Sequence, residues 1–390
     1  MRKALLKILD NIYNDIEDNN SSISLMVGGP GIMLFKLYYL KHIKNNDLND
    51  DIISNIQELS EASISYDNVS SFCNGQAGIN WFFSFLYNED YIDRKDYKII
   101  TSNDFLLAET GLDYLTAGVY DFLHGGVGIA HYILYAKGKK SLPFFDKFHD
   151  NLNALMDRGN TVLGYFNFEL QDFDPNKINP GLSHGLASVL KLCMQCYENG
   201  ICKRKSKHLS KRIINFLMEN TNADKTHSYF PFIYDFINND QKKSRLSWCN
   251  GDLGIAYIMY QYGLMFNDDH VTSISLEILH HSANRRTDSE TGVNDAGLCH
   301  GSSGIAHIFS KLWRNTKDPT FHDATIYWFQ KTIDYSIYKD GLAGFKTHSK
   351  ANKISFNDSG LLTGVAGIGL AILSYLFHDY SWDYCLMLND

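Results

Sequence analysis

The stretch Ser247-Trp248-Cys249-Asn250-Gly251-Asp252-Leu253-Gly254-Ile255 decides the fold, because its second half recurs along the chain. The unit is a glycine, two residues, a second glycine and an apolar run. It returns as Gly28-Gly29-Pro30-Gly31-Ile32, Gly75-Gln76-Ala77-Gly78-Ile79, Gly125-Gly126-Val127-Gly128-Ile129, Gly301-Ser302-Ser303-Gly304-Ile305 and Gly364-Val365-Ala366-Gly367-Ile368. A degenerate copy, Gly185-Leu186-Ala187-Ser188-Val189, has serine at the second glycine position. Subtracting successive first-glycine numbers gives spacings of 47, 50, 60, 66, 50 and 63 residues. Seven copies near one period mark a repeat architecture in which each repeat is one supersecondary unit.

Each unit has room for two helices. The helix after the glycines is apolar almost all round, as in Ile255-Ala256-Tyr257-Ile258-Met259-Tyr260, and such a helix is buried on several sides. The other is amphipathic: Ile326, Phe329, Ile333 and Ile337, or Leu209, Ile213 and Leu217, recur at steps of three and four and share a face. Seven apolar helices paired with seven amphipathic ones predict an all-α fold, an α/α toroid with an inner ring inside an outer ring. An open solenoid is the alternative, because a period does not by itself prove closure. The polar segments Asn45–Asp51 and Lys203–Lys207 read as short loops, and no proline-rich linker divides the chain, so residues 1–390 read as one domain. The first glycine is expected to supply positive φ at the loop-to-helix turn, and the second to let neighbouring helices approach.

Composition excludes several classes. Of 390 residues, 44% are hydrophobic and 21% charged, which gives a large core and argues against disorder. The net charge is -8 with no basic cluster, so nucleic acid is a poor partner. Seven irregularly spaced cysteines do not make a disulfide framework, and a reducing cytoplasm suits them. Met1–Asn19 alternates charges with Leu5, Leu6, Ile8, Leu9, Ile12 and Ile16, an amphipathic helix and not a signal peptide. Leu361–Phe377 is the most apolar stretch, but Thr363, Gly364, Gly367, Gly369 and Ser374 interrupt it and it belongs to the repeat, so no membrane span is expected.

Chemistry concentrates at one register. Counting back from each first glycine, Cys249 and Cys299 stand at minus two, His184 and His300 at minus one, and Asp121 at minus four. In a ring these loops lie at equivalent inner-helix N-termini, whose positive field favours thiolates and anions. Two thiols and an imidazole, Cys249, Cys299 and His300, are three soft-to-borderline ligands that suit zinc with a fourth position open, the pattern of a catalytic and not a structural metal. Other residues share the register without the chemistry. Cys73 also stands at minus two but has no neighbouring ligand, and it reads as structural. His124, at minus one beside Asp121, is a candidate for a supporting or substrate-facing role. Cys193, Cys196 and Cys202 read as core thiols, and His131 and His307 as core histidines within repeat helices.

Trp248-Cys249-x-Gly251 and Cys299-His300-Gly301, inside a sevenfold glycine repeat, resemble the lanthionine synthetase C family, the lantibiotic cyclases, over essentially the whole chain. The resemblance implies an α/α toroid with one zinc ion held by Cys249, Cys299 and His300. It implies acid–base residues at Asp121, in Tyr120-Asp121-Phe122-Leu123-His124-Gly125, and at His184, in Gly181-Leu182-Ser183-His184-Gly185, and an active-site arginine at Arg245. The family pattern has tyrosine where this chain has Asn250, which removes any role assigned to that tyrosine. The implied reaction is addition of a peptide cysteine thiol to dehydroalanine or dehydrobutyrine, giving lanthionine or methyllanthionine. His184 is the candidate acid for the enolate, Asp121 its orienting or charging partner and Arg245 an oxyanion partner. The implied partners are a dehydrated precursor peptide, leader plus core, and a lanthipeptide dehydratase, with an export transporter as a further candidate. The implied location is the cytoplasm, with a membrane-associated biosynthetic complex as a place of peripheral attachment.

Three other readings share these residues. One is a family member that adds glutathione to dehydrated residues. A prenyltransferase-like zinc enzyme would need a diphosphate-binding basic and tyrosine patch, and the repeat loops carry no Lys/Arg cluster. A non-catalytic peptide scaffold with structural zinc would not need Asp121 and His184. For a cyclase, a broad cleft at the mouth is expected, with weak core-peptide binding and most affinity from a leader segment held away from the metal. The negative net charge should modestly favour a neutral or cationic peptide.

Overall fold

The structure, a computed structural model, describes residues 1–16, 22–44, 50–64, 69–158, 163–167, 172–238, 243–349 and 354–390. Every glycine copy opens a helix: α1 (Gly29–Tyr39), α2 (Gln76–Asn88), α3 (Gly126–Lys137), α4 (Leu186–Glu198), α5 (Asp252–Phe266), α6 (Ser302–Thr316) and α7 (Val365–Phe377). Each is preceded by a partner helix, in order Arg2–Asp15, Asp50–Ile64, Asp104–Thr116, Leu142–Arg158, Lys203–Glu219, Asp269–Asn284 and Pro319–Asp334. The hairpin unit read from the period is therefore present seven times.

Burial separates the two kinds of helix. Every residue of α1 is buried, Lys36 included, whose ammonium lies 6.0 Å from the centre of the Tyr13 ring. In α7 Leu370, Ala371 and Ile372 are fully buried, and each large aliphatic side chain so placed contributes about 1.5–3 kcal/mol. The helix Lys203–Glu219 buries one face only, through Leu209, Ile213, Ile214 and Leu217 among others. Its first turn occupies Lys203–Lys207, so the polar loop expected there is helix instead: the charged residues form its solvated side. The loop expected at Asn45–Asp51 falls largely outside the described residues. In Pro319–Asp334 the buried face is Phe321, Ala324, Thr325, Trp328, Phe329 and Thr332. Of the four residues read as one stripe, only Phe329 belongs to it; Ile337 lies beyond the helix and is 70% exposed. No helix among the described residues is long and apolar enough to cross a membrane.

The chain forms two compact units: Met1–Tyr66 with Leu246–Trp248 and His280–Asn389, and Asp67–Arg245 with Cys249–Leu279 and Asp390. In the first, α6 packs on α7 and on Pro319–Asp334, and α7 on α1 and Arg2–Asp15. In the second, α3 packs on α2, α4 and Asp104–Thr116, and α4 on α5 and Lys203–Glu219. Repeat helices thus pack on neighbouring repeat helices, and α3 rests also on the partner that precedes it, whereas α4 and α6 rest on the one that follows.

Three short antiparallel strand pairs accompany the helices: Tyr165–Asn167 with Asp172–Asp174, Lys177–Ile178 with Tyr234–Asp235, and Thr347–Ser349 with Ile354–Phe356. They fall in the repeats whose spacings are 60, 66 and 63 residues. Part of the extra length of those repeats folds as strands ahead of the glycine loops: two pairs lie within one repeat, and Lys177–Ile178 with Tyr234–Asp235 joins two successive repeats.

The glycines answer to crowding more than to φ. Only Gly251, at φ 121°, has the left-handed backbone expected of all the first glycines; Gly28, Gly75 and Gly185 lie at -127°, -135° and -149°. A Cβ on Gly28 would strike the carbonyl oxygen of Ser22, and one on Gly185 that of Asn179. The second glycines face a similar wall: a Cβ on Gly128 would meet the carbonyl of Phe122 in its own loop and, at 2.6 Å, the Phe72 Cβ of the preceding copy. Ser188 stands in for a second glycine with its hydroxyl donating to the Gly185 carbonyl at 2.8 Å.

Candidate metal centre and acid–base pair

The equivalence of the minus-two positions is built into the backbone. In the second unit the N–H of Cys73 donates to Leu123 at 2.8 Å, that of Leu123 to Ser183 at 3.3 Å, and that of Ser183 to Cys249 at 3.0 Å. In the first unit Trp248 donates to Cys299 at 3.2 Å, Cys299 to Leu362 at 2.8 Å, and Leu362 to Met26 at 2.9 Å. Apart from Trp248, at minus three, every residue in these two runs stands at minus two. Within each unit a loop hands its N–H to the next loop's carbonyl, so that unit's side chains at minus one and minus two are held in a common layer.

The ligand atoms of Cys249, Cys299 and His300 all lie within 4.8 Å of one another. Cys299 is buried and the other two are half-buried. Donors about 2.0–2.3 Å from one tetrahedral ion stand roughly 3.3–3.8 Å apart, so an adjustment of about an ångström would seat a metal. Two thiols and one imidazole fit zinc by donor type, and this is the only such group among the described residues.

Neighbouring groups fix these loops. The Cys249 carbonyl accepts from the N–H of Leu182 at 2.9 Å, the N–H of Ser183 at 3.0 Å and the Ser183 hydroxyl at 3.2 Å. The Trp248 indole donates to the Leu386 carbonyl at 3.0 Å. The buried Asp252 carboxylate accepts from the N–H groups of Tyr229 and Phe230, at 2.9 and 3.0 Å. Asn250 is buried, and its amide donates to the Phe232 carbonyl at 3.2 Å, so here it ties two loop segments together. Ahead of Cys299, the Asp295 carboxylate accepts from the N–H of Gly297 at 3.1 Å and of His348 at 3.2 Å.

Asp121 and His184 meet across two loops. Asp121 is 4% exposed; its Oδ1 accepts the His124 N–H at 2.6 Å and its Oδ2 lies 3.5 Å from His184 Nδ1. A carboxylate on that side favours the tautomer that carries its proton on Nδ1. The rings of His124 and His184 stack, centroids 5.6 Å apart and 16° from parallel. Burial pulls the His184 pKa down, but the hydrogen bond and charge of Asp121, helped by Cys249, outweigh it, and the net shift is upward. For His124, burial prevails over the attraction of Asp121, and its pKa is lowered. The pair therefore combines one imidazole biased toward its cation with one biased toward neutrality.

Arg245 is half-buried, with its carbonyl against the face of Gly251 where a side chain would stand. It stands four residues before Cys249, in the loop that leads to that thiol. Cys73 stays outside the metal group, and burial, with Asp121 adding, pushes its thiol up to about 12. Cys193 and Cys196 are buried in α4. His131 and His307 are fully buried, with Nδ1 of the first 3.2 Å from Gln195 and Nε2 of the second 3.0 Å from Asp383.

Sequence reasoning missed Ser183 and the Asx turns that shape the loops. A readable signal existed: Asn179-Pro180-Gly181, Asp295-Ala296-Gly297 and Asp358-Ser359-Gly360 share one spacing before the first glycine. In each, the Asx oxygen accepts the N–H two residues on, at 2.8, 3.1 and 2.8 Å.

A sequence profile described as Lanthionine synthetase C-like protein matches residues 19–387. No curated protein sequence matches the chain. Among solved structures, nisin cyclase superposes with a TM-score of 0.72 at 19% identity, over 99% of this chain and 97% of that one. Identity this low carries the fold alone, and the fold is an α/α toroid, so the alternative of an open solenoid falls away. An inactive variant of an alpha-1,6-mannanase of Salegentibacter sp. HEL1_6 gives a TM-score of 0.44 at 12% identity, over 96% of this chain and 98% of that one. A sugar epimerase from a ruminal bacterium gives 0.42 at 8%, over 90% and 86%.

Proposed function

The chain belongs to the lanthionine synthetase C-like family, and from that membership we propose that it is a zinc-dependent lanthipeptide cyclase. It joins cysteine thiols of a dehydrated precursor peptide to dehydroalanine or dehydrobutyrine in the same peptide, forming lanthionine and methyllanthionine rings. The observation that carries this reading is the group of Cys249, Cys299 and His300, three donors suited to one zinc with a coordination position to spare.

Cys249, Cys299 and His300 would hold the zinc, and its Lewis acidity would favour the thiolate form of a substrate thiol, of ordinary pKa about 8.5, at neutral pH. The remaining work falls to the protein. Sulfur bonds to the β-carbon, the alkene electron pair moves onto the carbonyl as an enolate, and a proton must reach the α-carbon. His184 supplies that proton: Asp121 at Nδ1 favours its cationic form and fixes its ring. Asp121 is held in turn by the His124 N–H. Arg245, in the loop that leads to Cys249, is the candidate for pairing with the enolate oxygen. The proton lost by the thiol equals the one gained at carbon, so ring closure leaves the peptide's mass unchanged.

The test is incubation with a dehydrated peptide containing one cysteine, followed by thiol alkylation and mass measurement. Ring formation removes the alkylatable thiol at constant peptide mass. Glutathione offered to a dehydrated peptide without cysteine would instead add its own mass if the protein were a glutathione transferase. A scaffold would bind zinc and peptide and leave every thiol alkylatable.

A further inference from the structure

The end of α6 remote from His300 carries a second recognition feature. A cavity of about 330 Å³ lies at the C-terminal ends of α6 and α7, within the first unit. Arg2, Arg314, Lys317, His322 and His378 line it, with Trp313, Tyr375 and Tyr380 as aromatic walls. None of its lining residues is a carboxylate, in a chain whose net charge is -8. Asp323, 3.8 Å from His322 Nδ1, is 81% exposed and is not among them.

The walls are built. The Tyr380 hydroxyl lies 3.0 Å from the Ser310 hydroxyl, and the Arg314 guanidinium sits 4.5 Å above the Tyr380 ring. The Lys317 ammonium stands 5.9 Å from the Trp313 ring, whose other neighbour, His322, is at 5.0 Å. Three residues after Tyr380, the buried Asp383 is engaged by Lys311 at 2.7 Å and His307 at 3.0 Å. Helix C-termini attract cations, which accounts for Lys317, the residue that caps α6; His378 caps α7. That attraction does not account for Arg2 on another helix, for His322 in the first turn of Pro319–Asp334, or for the aromatic faces between them. Aromatic walls with cations and no anions suit a ligand that alternates carboxylates with apolar groups.

We propose that this cavity docks an acidic, partly apolar segment of the peptide substrate, away from the residues being cyclised. The proposal rests on the peptide-processing reading above and gives it a second contact point. From Gly301 to Arg314 the helix rises about 20 Å, so a peptide reaching both ends needs at least about six extended residues and more if it follows the outer surface. The cations here are local, and the negative total charge does not describe this end of the molecule.

The probe is a labelled synthetic peptide of alternating glutamate and leucine, titrated into the full chain by fluorescence anisotropy. Its glutamine counterpart and inorganic pyrophosphate serve as the other arms. Binding of the glutamate peptide should exceed that of the glutamine peptide by about tenfold and weaken with salt. It should fall by about tenfold in Arg2→Gln/Lys317→Gln, whose exposed side chains can change without unfolding the chain, and again in Arg314→Gln. It should be unaltered in Cys249→Ala. Equal binding of both peptides, or indifference to the double substitution, overturns the proposal. Complete displacement by pyrophosphate overturns it in favour of a small-anion pocket. Charge-dependent docking without ring formation would leave this site standing and refute the cyclase instead.

Discussion

Ser183 gives both its backbone N–H and its hydroxyl to the carbonyl oxygen of Cys249, at 3.0 and 3.2 Å. Through this one carbonyl, the loop that ends in His184 is registered on the loop that carries the Cys249 thiol. Ser183→Ala keeps the N–H bond and removes the hydroxyl. We expect a loss of about 0.5–1.5 kcal/mol and a modest fall in zinc affinity, no more than about tenfold, read by urea denaturation and chelator competition. Unchanged values in both would show that the hydroxyl does not help set this register.

Cys249→Ala should lose most bound zinc and all ring formation while far-ultraviolet circular dichroism stays that of the wild type. Cys73→Ala should keep full zinc, since that thiol lies outside the ligand group despite sharing its register. Elemental analysis of the two purified variants decides it. Full zinc in Cys249→Ala would remove the ligand assignment.

His184→Ala and Asp121→Asn should hold zinc as the wild type does and cyclise about 10²–10⁴-fold more slowly, the usual worth of general acid–base help. The separation matters: metal content reports the ligands, and rate reports the proton donor. Wild-type rates in both variants would take the pair out of the mechanism.

Asp383 supplies a prediction about stability. Burial alone would raise its pKa, but the charge of Lys311 and the hydrogen bond of His307 overcome that, and the folded value is lowered. Its contribution is therefore present above the unfolded value of about 3.9 and is lost as pH falls through the depressed folded value. Asp383→Asn removes the carboxylate from a buried ion pair and should cost about 3–5 kcal/mol near neutral pH. The gap between wild type and variant should narrow in acid. Urea titrations at neutral and strongly acidic pH measure it, and a gap that did not change with pH would contradict the assignment.

Much of the fold was legible because the repeat makes its own control. Seven glycine copies open seven helices, and the three longest spacings, 60, 66 and 63 residues, are those that hold strands. The strands themselves were not legible: they are two or three residues long and leave no alternation to read. The role of the glycines was half legible. Their necessity showed in the pattern, but whether φ or crowding required them depends on where the Ser22 and Asn179 carbonyls point. For the site, residue type and register brought Cys249, Cys299 and His300 together, and Asp121 with His184. Ser183 escaped because its contribution is a hydrogen bond to a backbone carbonyl, which no residue pattern encodes. The basic cavity escaped because Arg2, Arg314 and His378 come from distant segments and form no cluster along the chain.

The central claim is that three protein ligands hold a metal whose remaining position receives the substrate thiol. X-ray absorption at the zinc edge tests it most directly, before and after addition of a cysteine-containing peptide. The account predicts two sulfurs at about 2.3 Å and one nitrogen in the resting protein, with a third sulfur at that distance once peptide is bound. A metal with four protein ligands, or a sulfur count that does not change on adding the peptide, would contradict it.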